Sequence, residues 1–105
     1  MTPWVSVVVP AYQGGAYLDQ ALTSLAAQTD KNWECVIVDD ASPDDTGARA
    51  AAWAARDARF RVLTHDRNQG TLAAKNHGIA EARGTWIKPL DQDDRLHPEA
   101  LAIFR

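Results

Sequence analysis

The segment Val5-Ser6-Val7-Val8-Val9 constrains the fold more than any other. A strand with one wet face alternates polar and apolar residues. An unbroken β-branched run reads instead as a strand buried on both faces, the pattern of parallel sheets covered by helices. Parallel neighbours need a crossover of about a dozen residues, usually a helix. Such crossovers recur along the chain. After the stop at Pro10 and the break at Gly14-Gly15, Leu18, Leu22 and Leu25 fall at i, i+4, i+7 within 16–28, one face of a helix. Trp33-Glu34-Cys35-Val36-Ile37-Val38 is a second strand, ended by Asp39-Asp40. Ser42 reads as an N-cap, Pro43 suits the first turn, and Asp44 and Asp45 read as acids of a helix start. Helix continues through 48–58, with Trp53 as its bulky anchor. Phe60–Thr64 is a weaker third strand. Asn68-Gln69-Gly70 makes a turn. Leu72, Asn76 and Ile79 then recur at helical spacing up to Gly84. Residues 85–90 form a fourth strand, with Pro89 marking an irregular end or an edge. His97-Pro98-Glu99 opens a last helix carrying Leu101, Ile103 and Phe104, and His97 reads as its cap.

The resulting β-α-β-α-β-α-β-α order predicts a parallel α/β sheet with helices on its faces. The 105 residues allow one small domain or part of a larger one. Eleven Lys and Arg against fourteen Asp and Glu argue against a nucleic-acid surface. No apolar run approaches the ~20 residues of a membrane span. Met1-Thr2-Pro3-Trp4 leads straight into a strand, without the pattern of a secretory signal. The single cysteine, Cys35, excludes an internal disulfide or a cysteine zinc cluster and fits a reducing, cytoplasmic setting.

In open α/β sheets ligands bind at the carboxyl ends of the strands. Those ends carry Pro10, Ala11 and Tyr12, then Asp39 and Asp40, then His65, Asp66 and Arg67, then Asp91, Asp93 and Asp94. Carboxylates gathered on one rim are costly unless something positive joins them. A hard divalent cation, Mg²⁺ or Mn²⁺, is the natural partner, because softer metals want Cys or several His. Gln92, between Asp91 and Asp93, is expected to point away from that ion. Asp39 reads as the acid that orients its loop and Asp40 as the better ligand contact. The three histidines, His65, His77 and His97, read as structural or solvated, and Trp53 and Trp86 as core.

These segments together resemble family 2 glycosyltransferases. Val5–Tyr12 is similar to the family's opening, usually closed by Tyr-Asn, where Gln13 stands here. Ser24-Leu25 and Gln28-Thr29 resemble its helix ending, and Val36–Thr46 its second-strand signature. Asn68-Gln69-Gly70 with Ala74-Lys75-Asn76-His77-Gly78 resembles a segment in which Arg is commoner than Lys75. Leu90-Asp91-Gln92-Asp93-Asp94 resembles the acidic metal motif, and the likeness covers almost the whole chain.

The resemblance implies a Rossmann-like GT-A fold over 1–105 and transfer of a sugar, with inversion, from a nucleotide-diphosphate sugar to an acceptor hydroxyl. Pro10, Ala11 and Tyr12 would line the nucleotide, with Asp39 and Asp40 beside them. Asp40 would accept from a base N–H, which favours a uridine donor. Lys75 would stand near the diphosphate as a point charge. Asp91 would lie between ribose and metal, and Asp93 would bind the cation, with Asp94 as its competitor. The general base is expected beyond Arg105, as is the site for a saccharide or lipid-linked acceptor. The full-length protein is then expected in the cytoplasm or at the inner face of the membrane, acting in cell-envelope polysaccharide synthesis. A chain holding only the donor half is expected to transfer no sugar and to self-associate through uncovered surfaces. Two other readings carry fewer residues. A non-catalytic nucleotide-sugar-binding module would share the donor site. A receiver-type signalling domain would share Asp39-Asp40 and Lys88-Pro89, but its acid pair follows the first strand.

Overall fold

Four parallel strands form one sheet: β1 (Val5–Ala11), β2 (Trp33–Asp39), β3 (Phe60–Thr64) and β4 (Trp86–Pro89), in the order β3-β2-β1-β4. Between and after them run α1 (Ala16–Ala26), α2 (Thr46–Arg56), α3 (Thr71–Glu81) and α4 (Ala100–Phe104). The structure, a computed structural model, describes residues 3–104. The Phe104 side chain expected on the last helix lies outside the described residues, as do Met1, Thr2 and Arg105.

The valine run does what its lack of alternation predicts. Val5, Val7 and Val9 join Cys35 and Ile37 under Leu18, Leu22 and Leu25 of α1, Ala50 of α2 and Leu101 of α4. On the opposite face Val36 and Val38 pack with Ala74 of α3. Each of these leucines is fully buried and contributes about 1.5–3 kcal/mol. Pro10 is tolerated inside a central strand. Pairing of β1 with β4 stops at Val8↔Pro89, so no ladder partner there needs its missing N–H.

Several sequence expectations give way. The buried face of α3 is Ala74 and Gly78, while Leu72 and Ile79 are exposed. A Cβ on Gly78 would sit 2.5 Å from Val8 Cγ1, so the close approach of α3 to the sheet selects small residues over large ones. Trp86 is 66% exposed because β4 is an edge strand. Trp53, half-buried, does pack against the core as expected, its ring tilted 50° to that of Phe60 with 5.2 Å between centroids. Ser42 does not cap α2. Asp45 holds that position, and Ser42 Oγ instead accepts from Gln13 N–H at 3.1 Å. Asp44 accepts from Thr46 N–H, and Asp45 pairs with Arg49 one turn on. His97 Nδ1 does accept from Glu99 N–H, at 3.2 Å, ahead of α4.

One buried polar side chain pins the last helix. Gln28 donates to the carbonyls of Ser24 and His97 and accepts from Leu101 N–H at 3.0 Å. All of its amide groups are thus used at full burial, as a buried amide requires. Cys35 is buried in β2, and burial pushes its thiol far up, leaving it inert.

Candidate functional site

The direction of chain progression across the sheet reverses at β1, with β2 on one side and β4 on the other. A ligand crevice is expected at such a switch point. A cleft of about 170 Å³ opens there, lined by Pro10, Ala11, Tyr12, Asp40, Thr71, Ala74, Asp91, Gln92 and Asp93. It is smaller than the ~300–1,000 Å³ of a full ligand pocket and can seat only part of a nucleotide-sized molecule.

Six of the expected residues meet in this cleft: Pro10, Ala11, Tyr12, Asp40, Asp91 and Asp93. Three do not line it. Asp39 is buried, and its Oδ1 accepts from Ser42 N–H at 3.1 Å, holding the loop after β2. Asp94 sits beside the cleft among the other loop acids. Lys75 lies one helical turn past Thr71, half-buried and without an ion-pair partner among the described residues.

Gln92 has a partner that the sequence did not foresee. It faces the loop after β1, where its Oε1 accepts from Tyr12 N–H and its Nε2 donates to the Tyr12 carbonyl, both at 2.8 Å. The amide imitates a backbone partner where the β1–β4 ladder has already ended. It ties the acidic loop to the Tyr12 loop and leaves Asp91 and Asp93 toward the cleft.

Asp40 is the most constrained acid. Its Oδ1 accepts from Gln69 N–H at 2.9 Å and contacts His65 Nδ1 at 2.9 Å. Its Oδ2 accepts from Gly70 N–H at 2.8 Å. Gly70 is the N-cap of α3, at φ 98°, and has no side chain to cap with. Asp40 supplies that anion from another strand, where the helix dipole favours it. Burial alone would raise its pKa. The His65 ring and the two N–H groups outweigh burial and hold it below the ordinary value of 3.8. Beyond Asp40, His65 Nε2 meets His77 Nδ1 at 2.8 Å.

Asp91, Asp93 and Asp94 are exposed, and one oxygen from each lies within 4.8 Å of the others. No protein cation or donor reaches these carboxylates among the described residues. Hard oxygen donors this close, without a neutralising partner, fit Mg²⁺ or Mn²⁺.

Two backbone features support the rim. Gln13 and Ala41 both lie in the left-handed region, at φ 52° and 60°, directly after Tyr12 and Asp40. Asn is enriched there, which accounts physically for the Asn that Gln13 replaces. Sequence reasoning missed Thr71 as a cleft residue, and the partners of Gln92, His65 and His77. The signal for Gln92 was its place between two acids, and for Thr71 its place after a glycine that begins a helix. Nothing in the sequence paired His65 with His77.

Comparison with known proteins converges on one family. The model for glycosyl transferase family 2 matches residues 6–104. The succinoglycan biosynthesis protein ExoO of Rhizobium meliloti is 43% identical over 99 residues, covering 94% of this chain and 28% of its own. S. aureus TarS residues 1–349, solved with UDP-GlcNAc, superposes with a TM-score of 0.88 at 29% identity, over 95% of this chain and 29% of that one. The mannosyltransferase PcManGT of Pyrobaculum calidifontis, solved with GDP-Man and Mn²⁺, gives 0.81 at 25% identity, over 90% and 29%. The chain thus spans less than a third of the length of these proteins. The parallel sheet with helices on both faces is the GT-A fold, and the chain belongs to glycosyl transferase family 2.

Proposed function

We propose that this chain binds the nucleotide-diphosphate part of a sugar donor at the carboxyl end of its sheet. The observation that carries this is the meeting of residues from three strand ends in one cleft: Pro10, Ala11 and Tyr12 after β1, Asp40 after β2, Asp91 and Asp93 after β4. Tyr12 and the Pro10-Ala11 backbone flank the base, and Asp40 offers its cleft-side edge to a ring N–H, which favours uridine. Asp39 acts from behind by holding the loop. Lys75 stands near the diphosphate as a point charge. Asp93, with Asp91 and Asp94, would hold the divalent cation, which supplies Lewis-acid stabilisation of the departing diphosphate. PcManGT, solved in complex with GDP-Man and Mn²⁺, supports this reading by likeness.

The whole protein then transfers a sugar, with inversion, to a saccharide or lipid-linked hydroxyl in envelope polysaccharide synthesis at the cytoplasmic membrane face. Among the described residues no helix is long and apolar enough to cross a membrane. The 105 residues alone bind donor without transfer and self-associate along the exposed edge at Trp86 and Ile87, which sedimentation reads. Calorimetry with UDP, with Mn²⁺ and then with EDTA, tests the site. Binding that requires the cation supports it. Equal affinity in EDTA defeats the metal role, and no binding defeats the site.

A further inference from the structure

The cleft uses one edge of Asp40 and leaves the two histidines behind it without a task. Their rings lie 7° from parallel with centroids 5.0 Å apart. His65 is buried and His77 half-buried, so the contacts run from the cleft wall toward a wetter ring.

Counting hydrogens fixes how this chain can be filled. An ionised Asp40 only accepts, so His65 Nδ1 carries the hydrogen between them. Two ring nitrogens 2.8 Å apart need one hydrogen between them, neither none nor two. With both rings neutral, His77 Nδ1–H donates to bare His65 Nε2, and His77 Nε2 is bare as well. One further proton adds at His77 Nε2. Transfer of the bridging hydrogen from His77 Nδ1 to His65 Nε2 then moves the positive charge onto His65, against Asp40. A second added proton would put hydrogens on both facing nitrogens and two cations in contact, and the pair must separate.

We propose that His65 and His77 are positioning residues forming a one-proton relay on Asp40, which couples nucleotide-sugar binding to a single protonation. Histidine is the side-chain type whose ordinary value lies between pH 5 and 8. The other charged groups on the packed elements are Arg61 on β3, Glu34 and Asp39 on β2, Asp66 and Arg67 in the loop after β3, Lys75 and Glu81 on α3, and the acids of the 91–94 loop. None is of a type that ordinarily titrates there. The direction of the coupling rests on the nucleotide-diphosphate reading above. A protonated pair offsets the Asp40 charge, so an anionic donor binds more tightly as pH falls.

Ring ¹⁵N spectra of the 105-residue chain from pH 5 to 8.5 read the relay without any ligand. The expected result is a persistent Nδ1–H tautomer on His65 and a first protonation that shifts both rings together. Two independent single-site titrations, or an Nε2–H tautomer on His65 at high pH, overturn the relay. Calorimetry with UDP-GlcNAc at saturating Mg²⁺ reads the coupling, because its diphosphate diester has no group titrating in this range. Affinity should rise roughly fivefold from pH 8 to 5.5, the lower end of typical couplings between sites. The double variant His65→Gln/His77→Gln removes both rings that could take up the proton, so its slope should be flat. A slope that survives in that double variant overturns the proposal. If UDP-GlcNAc fails to bind at any pH, the nucleotide reading falls, and the ring spectra alone decide the relay.

Discussion

The chain carries two groups of aspartates at strand ends, and they live in opposite surroundings. Asp39 and Asp40 are buried and served by the chain's own donors: Ser42 for the first, and Gln69, Gly70 and His65 for the second. Asp91, Asp93 and Asp94 are exposed, and no protein donor reaches their carboxylates among the described residues. Charge that the fold satisfies internally builds a wall. Charge left open remains available to something from outside. Acid content alone does not distinguish the two cases; the supply of N–H groups does.

The largest effect should come from the buried group. Asp40→Ala leaves the first turn of α3 and His65 without their anion. It should cost about 1.5–3 kcal/mol, the range for hydrogen bonds to a charged group. A urea midpoint unchanged from the parent would dissolve the contrast. The same acid sets a pH dependence. Its pKa is lowered by folding, so its stabilisation is complete above the ordinary 3.8 and is lost as pH falls through the folded value. Glu34 adds in the same direction from 4.5. Burial opposes it, but the Ser6 hydroxyl, Arg83 N–H and Arg61 prevail. From these two acids, urea midpoints should therefore fall below about pH 4, less steeply in Asp40→Asn.

For the open group the sign of the contrast reverses. Asp93→Asn should leave stability within about 0.5 kcal/mol, as for an exposed substitution. It should weaken Mn²⁺-dependent nucleotide binding by at least the ~10–100-fold that even an outer-shell substitution costs a metal site. Calorimetry and a melt on one sample read both. A destabilised protein with intact metal affinity would place Asp93 with the wall instead.

Gln92→Ala should fall between the two cases. It removes two neutral hydrogen bonds to Tyr12, about 1–2 kcal/mol together, and frees the open acids from the base loop. Thermal melts and Mn²⁺ titration should both shift modestly. The smallest expected change is a gain. Ala41→Gly relieves a left-handed residue beside Asp40 and should stabilise by about 0.5–1 kcal/mol. A loss would mean that the turn is not strained.

Sequence reasoning reached the element order because the periods differ so plainly: unbroken valines against Leu18, Leu22 and Leu25. It reached six of the cleft residues because strand ends carry them. It failed where packing distance rather than polarity decides. α3 buries Ala74 and Gly78 because the helix lies close on Val8, and no hydropathy pattern encodes that distance. It failed again at Gln92 and at the histidine pair, whose partners lie 80 and 12 residues away. Such pairings exist only once the sheet has brought the loops together.

The strand order has a consequence for synthesis. β1 acquires its second neighbour only when β4 arrives, with Val5 opposite Trp86. At about 5–20 residues per second, roughly 4–16 s separate the emergence of those two residues from the ribosome. For that interval the apolar β1 segment VSVVVPA has one open flank, even if β2 is already beside it. An apolar open flank is a template for pairing with other chains. The charged turns on either side of β2 and β3 do nothing for it, so this protein's yield in a crowded cell should depend on holdase chaperones that engage its first strand.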